Sequence, residues 1–334
     1  MCRSEGVHKV KRGLIILAAI MITSVLDAQQ LPIYSQYLFN KYLINPAVAG
    51  SDGYTSLNLT TRQQWAGYQG APQTYSLSFN GRLLKQKYLI RQNVFDKKIF
   101  KPHTEGRVGI GGTVFSDING LVRRTGFSTS YAYHIWLQGG TQLSLGLAFT
   151  GYHYKIDQRQ IQFEDPDEPW LNTDFRKGIF VPDFNFGAYL LNRKYAIGFS
   201  AQELMEGFIK AGSQAYRDLK IQRTYYLFGN YDFEPDNKTL IQPSLLIKMS
   251  EQVRPQADIG VTYSYDNKLW VGATFRTGSA IIANVGVRRD RLFFGYSFDF
   301  TLNSIQMSTY GSHEFIVAAR FGDTPRKYRW LDRY

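Results

Sequence analysis

The chain is 334 residues long, carries a formal net charge of +12, and has 23 Tyr and 23 Phe against a single Cys. One cysteine excludes a small scaffold stapled by disulfides, and no run beyond the first 28 residues approaches the ~20 apolar residues that a membrane-spanning helix needs. The basic surplus is spread over turns instead of being gathered in one patch, which fits anionic lipid headgroups or an acidic protein partner and argues against nucleic acid.

Lys9, Lys11 and Arg12 precede an apolar run from Leu14 to Val25, and Ala28 offers a small residue before a cut. The pattern reads as a secretory signal peptide over 1–28, with a mature chain beginning near Gln29, although Leu26 is larger than the residue usual at the −3 position. The apolar run is too short for a membrane anchor, and Cys2 lies before it, which argues against a lipoprotein. Without the leader the chain keeps a net charge of +10 and no cysteine.

Residues 29–53 fit neither a clean helix nor a clean strand. Tyr34, Tyr37, Leu38, Phe39 and Tyr42 are too apolar to stand in water. Pro46 restricts Asn45 to extended geometry, and Gly50 permits a tight turn. The segment is expected to pack under or inside the mouth of the fold that follows, as a plug or as a partner-binding segment; the residues leave both open.

From residue 54 the apolar period is two. Ala257, Ile259, Val261, Tyr263 and Tyr265 share one face, with Asp258, Gly260, Thr262 and Ser264 opposite; Leu292, Phe294, Tyr296, Phe298 and Phe300 oppose Gly295, Ser297 and Asp299. The same alternation marks 54–62, 74–83, 106–117, 125–137, 141–155, 182–191, 195–203, 223–233, 239–250, 255–265, 269–277, 280–289, 291–301 and 313–321. Many of these segments match the ~9–11 residues of a tilted strand crossing a bilayer, and their even number suits an antiparallel outer-membrane β-barrel of about 14 strands over 54–322. A soluble sandwich would use shorter strands and bury its apolar faces between two sheets. In a barrel with a polar lumen, Arg at Val261 or Phe298 should be costly, and Arg at Thr262 or Ser297 tolerated.

With both termini on the periplasmic side, the inside connections at 138–140, 192–194, 234–238, 266–268 and Asp290 are short, as periplasmic turns are. The outside connections at 156–181, 204–222 and 302–312 are long. One inside segment, 84–105, is long and basic, and reads either as a slipped strand count or as a periplasmic insertion. It carries Lys85, Lys87, Arg91, Lys97, Lys98 and Lys101, and the basic tail 323–334 carries Arg326, Lys327, Arg329 and Arg333; both mix charge with aromatics and read either as solvated ends that hold the protein near anionic lipid or as docking segments for a partner.

Signs of chemistry are absent. His103, His134, His153 and His313 show no ligand spacing, and "GRVGIGG" at 106–112 sits inside a strand pattern, where close packing explains it better than phosphate binding. Glu164, Asp165, Asp167, Glu168 and Asp174 share an outside loop but lack the EF-hand spacing and its glycine. No nucleophile elbow or Ser/His/Asp spacing appears, so neither an enzyme nor a cofactor is expected.

Two motifs resemble the PorP/SprF family of type IX secretion system membrane proteins. The first runs through Gln36, Tyr37, Asn40, Asn45, Pro46, Ala47, Ala49 and Gly50, then Arg62, Gln64, Trp65, Gly67, Gly70, Ala71, Pro72 and Thr74. The second, in "YGSHEFIVAARF", contains Gly311, Ser312, His313 and Glu314. The resemblance implies a multi-pass barrel in the cell outer membrane, surrounded by lipid. It would work with type IX secretion proteins: periplasmic ring and motor subunits, the translocon, or surface adhesin cargo. On that basis Gln36, Tyr37, Asn40, Asn45, Pro46, Gly50, Trp65, Gly67, Pro72, Gly311, His313 and Glu314 are expected at partner contacts. The chain departs from the family pattern at 84–105 and in running past Phe321. The competing expectation, from a different class, is a channel for hydrophobic or other small molecules.

Overall fold

The computed structural model describes residues 34–87, 103–137, 140–156, 178–205, 222–251 and 253–322. Among them fourteen strands follow one another: β1 (Thr55–Gln63), β2 (Gln73–Lys87), β3 (His103–Asn119), β4 (Val122–Trp136), β5 (Gln142–Ile156), β6 (Ile179–Leu191), β7 (Tyr195–Gln202), β8 (Thr224–Tyr231), β9 (Thr239–Ser250), β10 (Val253–Tyr265), β11 (Leu269–Arg276), β12 (Ala280–Arg289), β13 (Leu292–Thr301) and β14 (Ser312–Phe321). Each pairs antiparallel with its neighbours in sequence, and β1 pairs with β14 from Thr55↔Phe321 to Gln63↔His313, which closes the sheet into a barrel. Thr55 and Phe321 thus mark one end of the barrel, the terminal end; Gln63 and His313 mark the far end.

Two-residue periodicity gives each strand one apolar and one polar face, and closure turns them to opposite solvents. On β1, Leu57 and Leu59 are exposed while Ser56, Asn58, Thr60 and Arg62 are buried; on β10, Ile259, Val261 and Tyr263 are exposed while Asp258 and Thr262 are buried. This inversion of the ordinary globular pattern defines an outer surface that meets lipid. Arg placed at Val261 is therefore expected to cost about 2–4 kcal/mol near the bilayer midplane, read as lost assembly in a membrane-insertion assay. Tolerance of Arg there would contradict the lipid-facing assignment.

The interior departs from the sequence-based expectation. Thr262 and Ser297 face inward, but Ser297 is 0% exposed, because the lumen is filled rather than watery. Arg at either position has no open space to enter and is expected to disrupt packing.

The segment 84–105 also resolves differently. β2 continues to Lys87 and β3 begins at His103, with Lys85↔Glu105 and Lys87↔His103 paired beyond a register shift after Leu83. The strand count stands, and the connection shrinks to 88–102, which lies outside the described residues, as do the loop carboxylates at 164–174 and the tail 323–334. The basic residues near the strand ends hid this pairing, since a ladder needs only backbone groups. Strand lengths are uneven: β3 has 17 residues, while β7, β8 and β11 have 8 each. Along β4 the outward side chains change from Ile135, Tyr133, Tyr131 and Phe127 to Thr125 and Arg123 toward the far end, so the taller wall leaves the apolar belt on that side.

Candidate functional site: the plugged lumen

Residues 34–54 occupy the barrel interior, and local chemistry sets their path. Two 3-10 turns, Lys41–Leu43 and Pro46–Val48, are joined by Ile44 and Asn45. Asn45 is extended (φ −149°, ψ 115°), as the following proline requires, and its Oδ1 accepts the Ala47 N–H at 2.9 Å to cap the second turn. Gly50 has φ +65°, which lets the chain reverse before it enters β1.

At the far end the plug is held by a row of buried charges. The Glu314 carboxylate accepts the backbone N–H groups of Ser35 and Gln36 at 2.7 and 2.9 Å, and the Gln36 side-chain amide donates to the Glu314 carbonyl at 3.1 Å. Ser35 Oγ donates to Asp299 at 2.7 Å. Arg62 binds Asp299 at 2.6 Å and Glu314 at 3.1 Å; Arg276 binds Asp258 at 2.8 Å and meets Asp299 at 3.5 Å. Signs alternate along the chain of ion pairs, from Asp258 through Arg276, Asp299 and Arg62 to Glu314, although on the wall Glu314 of β14 stands between Asp299 of β13 and Arg62 of β1. That is the arrangement in which each buried ion finds opposite charge on its neighbours.

Midway, the plug is fastened to the opposite wall. Asn45 Nδ2 donates to the carbonyls of Ala188 and Phe199 at 3.0 and 3.1 Å, and Ser200 Oγ donates to the Ile44 carbonyl. Lys41 Nζ donates to Asn230 at 2.8 Å, Asn40 Nδ2 to Ser78 Oγ at 3.2 Å, and the Tyr42 and Ser130 hydroxyls share a bond of 2.8 Å. Tyr37, Ile44 and Ala47 pack into an apolar cluster with Tyr189, Leu191, Tyr226 and Phe228 of the wall. At the terminal end Arg82 donates to the carbonyls of Gly50 and Ser51 at 2.8 and 3.0 Å and to Gln142 at 2.7 Å. His134 meets the Ala49 carbonyl through Nε2 at 3.0 Å, so that nitrogen carries the proton; Nδ1 then accepts from Ser144 Oγ at 2.7 Å.

The wall is cut to the shape of the plug. A Cβ at Gly146 would run into the backbone of Pro46 and Ala47, and one at Gly187 into the Asn45 side chain. Within "GRVGIGG", a Cβ at Gly109 would meet the Ala49 carbonyl oxygen and one at Gly111 the Tyr42 ring, so these two glycines serve close packing against the plug. Beside Tyr34 a cavity of about 110 Å³ remains, where Arg124 pairs with Glu203 at 2.7 Å near Asp117.

The structure sorts eleven of the twelve candidate residues into two places. Gln36, Tyr37, Asn40, Asn45, Pro46 and Gly50 lie in the plug, and Glu314 anchors its start. Trp65, Gly67, Pro72 and Gly311 lie together on the far rim, where Ala66 N–H donates to the Gly311 carbonyl at 2.7 Å and Gln64 N–H to the Pro72 carbonyl at 2.9 Å. His313 belongs to neither group: it faces the outer wall, 2.8 Å from the Tyr296 hydroxyl. Sequence reasoning passed over Arg82, His134, Asp258, Arg276 and Asp299 as site residues. Their signal was an ionisable side chain on the inward phase of an otherwise regular strand. Among the described residues no group of His, Cys, Asp and Glu is arranged to hold a metal ion.

A closed antiparallel barrel with an apolar outer belt and a polar interior defines a multi-pass outer-membrane protein. The family model described as type IX secretion system membrane protein PorP/SprF matches residues 26–319, and the chain belongs to that family. No curated relative matches the sequence at a significant level. Among solved structures it is similar to the toluene transporter TbuX of Ralstonia pickettii (10% identity, TM-score 0.45, covering 83% of this chain and 92% of that one). It is also similar to outer membrane protein Omp33 of Acinetobacter baumannii (8% identity, TM-score 0.42, covering 81% and 100%). A third is BamA of Haemophilus ducreyi lacking POTRA domains 1–3 (9% identity, TM-score 0.40, covering 80% and 70%).

Proposed function

We propose that this protein is a sealed, non-enzymatic outer-membrane component of the type IX secretion system. In this reading it links the translocon or surface adhesin cargo to periplasmic ring and motor subunits, with the terminal end in the periplasm. The observation that carries the proposal is the plug. It is bonded to β1, β2, β4 through β8, β13 and β14, with wall glycines shaped to receive it. A solute channel needs a continuous lumen, and this one is crossed by packed polypeptide. A sealed barrel offers its two rims and their connections as surfaces, which suits a partner protein better than a solute path.

The test uses an affinity tag in the 266–268 turn of the full chain, in cross-linked outer membranes. Periplasmic type IX subunits, translocon or adhesin cargo should co-purify, the tag should stay unlabelled on intact cells, and deletion of the protein should stop cargo secretion. Normal secretion together with lost uptake of a small molecule would favour the channel instead.

A further inference from the structure

On the outer face of the taller wall, near the far end, two cations oppose each other across one ladder. Arg123 of β4 and Lys155 of β5 are paired residues, both on the outward phase of their strands and both exposed. Opposite positions hold their Cβ atoms about 5 Å apart, where like charges repel and weaken the sheet. Neither side chain has an ion-pair or hydrogen-bond partner among the described residues. The carboxylates of the flanking strands do not offset them, since Asp117 of β3 and Asp183 of β6 lie on the inward phase and are buried.

The surface beneath the pair grades into the lipid belt. One outward row closer to the middle of the wall, Tyr75, Ser116, Thr125, His153 and Phe180 stand side by side on five strands. The hydroxyls of Ser116 and Thr125 share a hydrogen bond of 3.3 Å, and the rings of Tyr75 and Phe180 are exposed. Val114 and Phe127, paired with each other, come next and face lipid. Read inward from the rim, the wall thus presents cations, then hydroxyls and rings, then hydrocarbon. A membrane lipid presents its phosphate, polar linkage and acyl chains in that same order.

We infer that Arg123 and Lys155 form a seat for the phosphate of an outer-leaflet lipid, whose acyl chains run down along Val114 and Phe127. A phosphate between the two cations cancels their repulsion. It also accepts charge-assisted hydrogen bonds from both, from the guanidinium through its fork and from the ammonium as a point charge. The outward direction keeps the seat apart from the plugged lumen and its charge row. The inference rests on the orientation proposed above, which brings the far end to the outer leaflet.

The experiment uses the full-length protein in detergent micelles, with lipid A as the probe and native mass spectrometry as the readout. Wild type should carry bound lipid A, and R123Q/K155Q should hold it about tenfold more weakly or worse. R289Q/R291Q, altered at exposed positions of the terminal end, should hold it as wild type does. Heat-modifiable gel mobility confirms that each barrel is folded. In lipid-free detergent R123Q/K155Q should melt no lower than wild type, because the substitution removes a repulsion. A lower melting point would mean that the protein already neutralises the pair, and would overturn the inference. Undiminished binding by folded R123Q/K155Q overturns it, as does absence of binding to wild type. Equal binding of phosphatidylcholine would reduce the contact to ordinary boundary lipid, and displacement by inorganic phosphate alone would make it a free-anion site; either result overturns it. Surface labelling of a tag in the 266–268 turn on intact cells would place the far end in the periplasm and overturn the outer-leaflet seat. If type IX partners still co-purify while the seat fails, the sealed-barrel reading survives without it.

Discussion

Replacing Arg62 with Leu is expected to destabilise the folded barrel by about 3–5 kcal/mol, the usual effect of removing one partner from a buried ionic network. Arg62 is paired across the closing seam with Glu314 and bonds Asp299 as well, and all three side chains are nearly inaccessible. Without it, Glu314 and Asp299 face each other with only Arg276 to offset them, and Ser35 Oγ loses its donor at 2.8 Å. The denaturant midpoint of the refolded barrel is the measurement. R62L/E314L should cost less than the sum of the two single changes, since both act on one network. A loss under about 1 kcal/mol for R62L would mean that water screens these charges as it does at a surface.

Removing residues 34–53 is expected to turn a closed barrel into an open one. The plug contributes Tyr37, Ile44 and Ala47 to the interior cluster, accepts hydrogen bonds from Arg82, and donates through Asn45 to the Ala188 carbonyl of the wall. Its loss leaves a polar lumen that water fills, and fourteen strands enclose enough space for solutes to pass. Cells carrying the shortened protein should become sensitive to large hydrophilic antibiotics that the intact membrane excludes. Should the deletion fail to assemble, Gly146→Val offers a milder route, because its side chain needs the volume that Pro46 and Ala47 occupy. There the readout is maleimide labelling of an Ala47→Cys probe, buried in the parent barrel and reactive once the plug is expelled. Unchanged permeability after plug removal, in a barrel shown to be inserted, would contradict this role.

Much of the fold was legible because a membrane barrel enforces its pattern at every second residue. Each of the fourteen alternating segments corresponds to a strand, and the exposed Val261 and buried Asp258 lie on the faces that alternation assigns them. Asn45, Pro46 and Gly50 were legible too, since a pre-proline residue and a positive-φ glycine act through local backbone sterics. The lumen was not. Alternation marks Ser297 as polar-facing but carries no information on whether water or polypeptide lies opposite, and that depends on 34–54 threading back through the strands. The charge row was hidden for a related reason. Asp258, Arg276, Asp299, Arg62 and Glu314 come from five strands, and only closure through β1 and β14 brings them into one line. The 84–105 segment misled because its basic residues imitate a loop where β2 and β3 still pair.

The central claim is that the barrel is sealed by its own N-terminal segment, and planar-bilayer recording on the purified, intact protein tests it most directly. With Glu314 and Arg82 gripping the two ends of the plug, the inserted protein should stay electrically silent under sustained voltage. Steady single-channel conductance from the intact, correctly folded protein would contradict the account and return the lumen to the role of a solute path.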